Sequence, residues 1–227
     1  MHKSALANAA LFFQTYVPLG DGKVVVEIGS QDVNGSLRQV APSGVKYIGV
    51  DFAEGKGVNV IIDDQYKLPF EDCSMDVCLS SSVFEHSEMF WLLFLEILRI
   101  LKPNGLFYLN VPSNGDFHRY PVDCWRFYPD SGKAMVTWAK RNSYSPCILE
   151  SFVSNQSLDV WNDFVAVYVK EEVHANEYAG RILNLKKDFL NGFTSNSDEI
   201  INLSRFAEFQ KKFNAIKQII DYQIKVF

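Results

Sequence analysis

The chain has little positive charge and no run of basic residues. Its 227 residues include 22 Lys and Arg against 27 Asp and Glu, which gives a net charge of −5 and a pI of about 5.4. Proteins that bind nucleic acid usually present a basic face, so this composition argues against a nucleic-acid partner. No segment approaches the roughly 20 apolar residues that a membrane-spanning helix requires, and the N-terminus shows no signal-peptide pattern. We therefore expect a cytoplasmic protein without a membrane span.

Cysteine is also scarce, and its spacing matches neither a zinc site nor a disulfide framework. The four cysteines are Cys73, Cys78, Cys124 and Cys147. Two of them fall in or beside a predicted strand, which is where buried free thiols are expected in a reducing compartment. The sequence predicts no metal site.

The chain further lacks a P-loop and the three-glycine turn, G-x-G-x-x-G, that seats a pyrophosphate on a helix N-terminus. It has instead an apolar, β-branched run that ends at Glu27 and Gly29, and a second apolar run that ends at Asp51. Gly29 allows a ligand to approach the backbone closely, and a carboxylate at Asp51 can accept both hydroxyls of a ribose. Acids at Glu27 and Asp32 would repel a pyrophosphate, whereas the cationic sulfonium of S-adenosylmethionine tolerates them.

These residues resemble class I S-adenosylmethionine-dependent methyltransferases of the small-molecule type 11, over about residues 20–130. The motifs that carry the resemblance are, in order, Glu27-Ile28-Gly29, Asp51, Asp64 ahead of Leu68-Pro69-Phe70, residues 76–80, Val83-Phe84-Glu85-His86 and Leu101-Lys102-Pro103-Asn104-Gly105. The resemblance implies S-adenosyl-L-methionine as the cofactor and a set of residues that bind it: Glu27, Gly29, Ser30, Asp51, Phe52, Asp64, Ser80 and Ser81. Asp63 takes the place of Asp64 if the register shifts by one residue.

Strand and helix patterns alternate as far as about residue 111, which predicts a doubly wound, Rossmann-like, mostly parallel α/β sheet. Helices are predicted at residues 4–16, broken by Pro18 and Gly20, at 88–101 with Ser87 as the cap, and at 132–141. Strands at 106–111, 148–153 and 159–169 bring the predicted sheet to seven strands, and the last two are expected to form an antiparallel pair. We assign residues 1–170 to the methyltransferase domain and 171–227 to a C-terminal helical extension. Its helices, predicted at 171–190 and from 199 onwards, pack on the domain or on a partner subunit and bury Phe206, Phe209 and Phe213.

The segment from Gly115 to Asp130 carries the most unusual chemistry of the chain, and it follows a predicted strand on the ligand-binding edge of the sheet. It resembles an H-x-x-P-x-D-x-W-R-F-x-P stretch of methyltransferases that often occur among polysaccharide-assembly enzymes. We predict His118 as the general base, Asp123 as its orienting group or a ligand of a sugar hydroxyl, and His86 as a further catalytic candidate. Substrate-binding candidates in the segment are Arg119, Tyr120, Trp125 and Arg126. The alternative is a structural lid in which Trp125 and Phe127 fill the core and Asp123 pairs with Arg126.

Three functions remain open on the sequence. The first is O-methylation of a sugar, a glycan or another small hydroxylated or carboxylated acceptor, with a homodimer as a possible assembly. Ser80-Ser81-Ser82-Val83 stands where amine methyltransferases have N-P-P-Y, which argues against methylation of an exocyclic amine. The second is a non-catalytic methyltransferase-like binding or assembly module. The third, an NAD-dependent oxidoreductase, is disfavoured by the missing glycines.

Overall fold

Five strands form the parallel half of the sheet, and their order creates the crevice in which a ligand can bind. The computed structural model describes residues 2–17, 22–156, 160–205 and 208–226. The parallel strands are β1 (Val24–Ile28), β2 (Lys46–Asp51), β3 (Val60–Ile61), β4 (Met75–Ser81) and β5 (Leu101–Pro112), and they lie in the order β3-β2-β1-β4-β5. The chain leaves β1 towards β2 on one side and later returns to β4 on the other. This change of direction opens a crevice beyond the carboxyl ends of β1 and β4.

An antiparallel half extends the same sheet. It consists of β6 (Cys147–Ser154), β7 (Asp163–Val169), β8 (Phe189–Thr194) and β9 (Ser197–Ile201), in the order β7-β6-β8-β9 beside β5. The predicted fold class is confirmed, including the antiparallel pair β6 and β7. Over the described residues the sheet has nine strands, two more than the seven expected.

The helices cover both faces of the sheet, because alternate residues of its strands point to opposite sides and both sides are apolar. Helices α1 (Lys3–Tyr16) and α4 (Ile182–Leu185) pack on the face that carries Val25, Val77 and Tyr108. Helices α2 (Phe90–Ile100) and α3 (Ser131–Arg141) pack on the face of Val26 and Phe107. The predicted helices at 4–16, 88–101 and 132–141 are thus present within about two residues of their expected ends. The Ser87 cap is wrong, because α2 starts after Met89 and has no side-chain cap.

Residues 171–190 were expected to be helical, and this prediction is wrong for most of the segment. It contains a 3-10 helix at Glu172–Glu177 and the single turn α4, after which the chain enters β8. The buried carboxylate of Glu150 on β6 accepts from the backbone N–H groups of Ile182 (2.6 Å) and Leu183 (3.0 Å) and from the Tyr16 hydroxyl (2.6 Å). These bonds hold the segment against β6, where its continuation pairs as a strand.

The final helix α5 (Glu208–Val226) leaves its apolar residues exposed over the part whose side chains the structure describes. Phe213 is 61% exposed, and Ile216, Ile219 and Ile220 are also exposed, so the predicted burial of Phe213 is wrong within this chain. Phe206 and the side chain of Phe209 lie outside the described residues, as do Pro18, Gly20 and the expected strand start at 159. Among the described helices, none combines the length and the apolar composition needed to cross a bilayer.

Candidate cofactor and acceptor site

The turn after β1 requires a glycine at residue 29. Its φ is +77°, and a Cβ built on Gly29 would lie 2.2 Å from Cγ2 of Val83. The N–H groups of Gly29 and Ser30 both donate to the carbonyl of Val50 at the end of β2, over 2.9 and 3.1 Å. The turn is therefore held against β2 with its backbone facing the crevice.

Asp51 stands at the end of β2 with its carboxylate fixed by two backbone groups. Its Oδ2 accepts from the N–H of Gln31 (3.0 Å) and its Oδ1 from the N–H of Phe52 (2.8 Å). A carboxylate oxygen can accept more than one hydrogen bond, so both oxygens keep capacity for a donor in the crevice. Such a fixed pair of acceptors suits the two hydroxyls of a ribose.

A cavity of about 760 Å³ occupies the crevice and joins two groups of residues. This volume lies within the ordinary range for small-molecule sites. The cofactor end is lined by Ile28, Gly29, Gln31, Val33, Asn34, Gly35, Val50, Asp51, Phe52, Ala53, Ile62, Gln65 and Ser81. The acceptor end is lined by His2, Ser82, Val83, His86, Glu88, His118, Arg119, Tyr120, Pro121 and Val122.

Four of the cofactor-binding candidates lie outside the wall of this cavity. Glu27 is buried beneath the turn, where it accepts from the Tyr47 hydroxyl (2.7 Å) and where burial raises its pKa to about 7. Ser30 and Ser80 are buried in the fold. Asp64 is exposed and accepts from the N–H of Tyr66 (2.8 Å).

Ile62 and Gln65 line the cavity beyond the end of β3, and the sequence analysis missed both. Ile62 closes the apolar run of β3, a pattern that could have pointed to it. Gln65 carries no comparable signal. Gly29, Asp51, Phe52 and Ser81 lie in the wall as expected.

The segment from Gly115 to Asp130, called the acceptor loop below, is held in place by Asp123. Its carboxylate is 2% exposed and accepts from Nη1 (2.6 Å) and Nη2 (2.8 Å) of Arg126 and from the N–H of His118 (2.7 Å). The Arg126 guanidinium holds the pKa of Asp123 well below its usual range. Asp123 lies 3.6 Å from Nδ1 of His118, beyond ordinary hydrogen-bond distance.

Trp125 and Phe127 pack beneath the acceptor loop. The indole Nε1 of Trp125 donates to the carbonyl of Ser87 (2.9 Å), and its ring packs against Phe90 and Trp91. Phe127 is buried in the core. For Asp123 and Arg126 the geometry is that of the structural lid, whereas Trp125 is 37% exposed and does not fill the core. None of the three lines the cavity.

The two candidate histidines meet at the acceptor end of the cavity. Their rings are 5.0 Å apart between centroids and nearly perpendicular, at 87°. Nδ1 of His86 lies 2.5 Å from the carbonyl of Val122, and Nδ1 of His118 lies 3.1 Å from the carbonyl of Asp116. A carbonyl only accepts, so Nδ1 carries the proton in both neutral rings and Nε2 keeps its lone pair. Burial lowers the pKa of His86, which favours this neutral form.

The acceptor loop also touches the cofactor turn directly. The Tyr120 hydroxyl donates to Oε1 of Gln31 over 3.2 Å, and the Arg119 guanidinium donates through Nε to the carbonyl of Pro121 (3.1 Å). Both side chains line the cavity, in agreement with their predicted place. The loop thus lies against the cofactor turn, with His118 in the wall of the cavity.

A comparison with protein families identifies the part of the chain that builds the cofactor end. Residues 30–109 match the sequence model of a family described as a methyltransferase domain. This segment of the chain is therefore similar to a methyltransferase domain. The predicted family resemblance and its cofactor, S-adenosyl-L-methionine, are confirmed.

Curated relatives of the methyltransferase domain are found in mycobacteria. The chain is 36% identical over 103 residues to an uncharacterized methyltransferase of Mycobacterium leprae, a match that covers 39% of this chain and 37% of the relative. It is 40% identical over 77 residues to an uncharacterized methyltransferase of Mycobacterium avium, covering 29% of this chain and 30% of the relative. The chain therefore spans well under half the length of the curated relatives that it matches.

Solved structures similar to this chain share its fold. One is the 1,6-didemethyltoxoflavin-N1-methyltransferase of Burkholderia thailandensis with bound S-adenosylhomocysteine, at a TM-score of 0.57, 14% identity and coverage of 75% of this chain and 80% of that chain. Another is a complex of the Haloferax volcanii Trm112 methyltransferase activator with a methyltransferase, at a TM-score of 0.53, 19% identity and coverage of 74% and 90%. At these identities the likeness concerns the fold alone.

Substitution of Gly29 by alanine should destabilise the methyltransferase domain and weaken cofactor binding. The positive φ costs about 1–2 kcal/mol for an L-residue, and overpacking against Val83 adds about 1–3 kcal/mol. Gly22 is a matched control, because its φ is +68° but a Cβ there meets no atom within 4 Å. Denaturant unfolding should show a loss of about 2–5 kcal/mol for Gly29→Ala and about 1–2 kcal/mol for Gly22→Ala. Equal losses would show that the contact with Val83 is unimportant.

Proposed function

We propose that the chain is an S-adenosylmethionine-dependent methyltransferase that transfers the methyl group to an oxygen of a small hydroxylated or carboxylated acceptor. One observation carries this proposal: the cavity that is lined by Gly29 and Asp51 at the cofactor end is lined by His86 and His118 at the other. A cofactor seated on Asp51 and an acceptor beside the histidines would share one enclosed space. Proximity of the two reactants is the main requirement of this reaction.

The chemistry needs few groups from the protein. The sulfonium makes the methyl carbon electrophilic, and an acceptor oxygen attacks it in line as the bond to sulfur breaks. A hydroxyl acceptor must also lose its proton, for which a neutral imidazole is suited near neutral pH. His118 is the more accessible of the two histidines, and its Nε2 keeps the lone pair that such a base needs. A carboxylate acceptor is already ionised and needs no base.

We further propose a sugar or glycan as the acceptor, and with it a place in polysaccharide biosynthesis. The acceptor loop supports this through its exposed aromatic side chains, since aromatic faces pack on sugar rings. Tyr120 is 66% exposed at the cavity wall, and Phe117 and Tyr128 are exposed on the same loop. Arg119 adds a cation at the wall, which suits an acidic sugar.

The test of the proposal is methyl transfer by the full chain. Calorimetry should show binding of S-adenosylmethionine and S-adenosylhomocysteine and no binding of NAD. Incubation with methyl-labelled cofactor should then transfer label to hydroxylated or acidic sugars, and mild base should release label from a methyl ester but not from a methyl ether. Cofactor binding without transfer to any acceptor class would favour the non-catalytic binding module. Label in amine acceptors alone would contradict O-methylation.

The proposed homodimer would use the exposed apolar face of α5. Phe213, Ile216 and Ile220 recur at helical spacing on one side of this helix and are exposed in the described structure. Pairing of this face with a second copy would remove it from water, and light scattering would detect the resulting mass.

A further inference from the structure

Glu85, His86 and His118 come together beside the acceptor end of the cavity, where the two histidines line the wall and Glu85 is buried next to them, although the sequence predicts no metal site. One candidate ligand atom from each residue lies within 4.8 Å of the others, and Nε2 of His86 is 3.8 Å from Oε1 of Glu85. Ligand bonds of 2.0–2.1 Å place neighbouring donors about 3.3 Å apart around a tetrahedral ion. The His118 side chain is partly exposed, so it has room to move closer to the ligand atoms of Glu85 and His86.

The Glu85 side chain supplies an independent sign of a missing ligand. It is 1% exposed, and its Oε2 has no hydrogen-bond partner among the described residues. Glu85 and His118 line a small cavity of about 10 Å³, close to the volume that one water or one ion occupies. His86 does not line this cavity, but its candidate ligand atom lies within 4.8 Å of those of the other two residues. A buried carboxylate oxygen without a partner is costly, so an ion in this space would relieve the cost.

Both histidines are already oriented as metal ligands. Each places Nδ1 on a backbone carbonyl, Val122 for His86 and Asp116 for His118, which leaves Nε2 as the ligating nitrogen. Metal-binding histidines usually donate their second nitrogen in this way, because the bond fixes both the tautomer and the ring orientation.

We propose that Glu85, His86 and His118 bind one divalent transition-metal ion, such as Zn²⁺, at the acceptor end of the cavity. Two imidazoles and a carboxylate suit a transition metal better than Mg²⁺ or Ca²⁺, which prefer ligand sets made of oxygen. Three protein ligands leave a coordination position open to the cavity.

The role of the ion in turnover rests on the proposed methyl transfer. The acceptor hydroxyl would coordinate at the open position and lose its proton to solvent. Its oxygen would then attack the methyl carbon as the carbon–sulfur bond breaks, releasing S-adenosylhomocysteine.

Metal titration of the full chain, in the absence of cofactor and acceptor, tests the site separately from methyl transfer. After treatment with a chelator and its removal, calorimetry should show one equivalent of Zn²⁺ bound. The affinity should fall at least 100-fold in Glu85→Gln and in His118→Ala. The matched control is His174→Ala, because His174 also neighbours a carboxylate, Glu177, and is partly exposed like His118, but does not line the cavity. Its Zn²⁺ affinity should equal that of the original protein.

Co²⁺ distinguishes this site from binding to cysteine. Imidazole and carboxylate ligands give only weak visible bands, whereas thiolate ligands add an intense near-ultraviolet band. Cys73→Ser and Cys124→Ser, at the two exposed cysteines, should leave binding unchanged. The proposal is overturned if no ion binds, if His118→Ala with a native circular-dichroism spectrum retains full affinity, or if binding disappears only in the cysteine variants.

Discussion

Replacement of His118 by alanine should lower turnover about 10²- to 10⁴-fold, while the affinity for S-adenosylhomocysteine stays within about twofold. His118 lines the acceptor end of the cavity and packs against His86. None of its hydrogen bonds that the structure describes goes to a residue at the cofactor end. The loss should therefore appear in kcat rather than in cofactor binding. Steady-state kinetics with a verified acceptor and calorimetry with S-adenosylhomocysteine measure the two quantities.

The pH profile and a chelator separate the two roles open to His118. As a general base, it gives turnover a dependence on pH that His118→Ala loses, and a chelator has no effect on the original protein. As a metal ligand, it makes turnover sensitive to a chelator, and His118→Ala shows no further response. His174→Ala serves as the control for the loss of an imidazole elsewhere and should keep full turnover. Full turnover in His118→Ala would contradict both roles. The proton would then be removed by His86, or the acceptor would be a carboxylate that needs no base.

Replacement of Asp51 by alanine should weaken the binding of S-adenosylhomocysteine about tenfold or more. The substitution removes the charged acceptor that is proposed to bind the ribose and also frees the N–H groups of Gln31 and Phe52. Loss of hydrogen bonds to a charged group costs on the order of 1–3 kcal/mol. Calorimetry measures the affinity, and thermal unfolding without ligand checks that the protein remains folded.

Asp64→Ala is the matched control for this experiment. It removes the same chemical group from an exposed position outside the cavity wall, where the carboxylate accepts only from the N–H of Tyr66 among the bonds that the structure describes. We expect its affinity for S-adenosylhomocysteine to remain near that of the original protein. A loss equal to that of Asp51→Ala would show that Asp64 contacts the cofactor, as the family resemblance implies. Unchanged affinity in a folded Asp51→Ala protein would contradict the ribose assignment.

The cofactor turn could be predicted from the sequence because its chemistry is local. Gly29 and Asp51 each follow a short apolar run, and ligands bind beyond the carboxyl ends of parallel strands. The positive φ of Gly29 and the backbone bonds of Asp51 agree with the roles inferred from their positions. Asp64 shows the limit of this reasoning, because one residue of difference after a strand turns a side chain away from the cavity and brings Gln65 to its wall.

The acceptor loop was harder to predict because its polar residues can bind either a ligand or one another. His118, Asp123 and Arg126 are equally suited to chemistry and to mutual pairing, and residue type alone cannot decide between them. In the structure, Arg126 and the backbone of His118 satisfy both oxygens of Asp123, which leaves the His118 ring at the cavity. The proposed role of Glu85 is visible only in the structure, where it is buried beside His118 and its Oε2 has no hydrogen-bond partner in the part of the chain that the structure describes.

The sequence by itself determined the α/β class, the parallel strands, the main helices and the position of the cofactor turn. These depend on hydrophobic periodicity and on glycines and acids at strand ends, all of which act over a few neighbouring residues. Tertiary structure decided that residues 189–201 join the sheet, that α5 exposes Phe213, and that Asp123 anchors a loop. It also decided that Glu85 and His86 meet His118, more than 30 residues further along the chain. Such outcomes depend on contacts between residues that are distant in the sequence, because these contacts decide which groups are buried and hydrogen-bonded and can override local preferences.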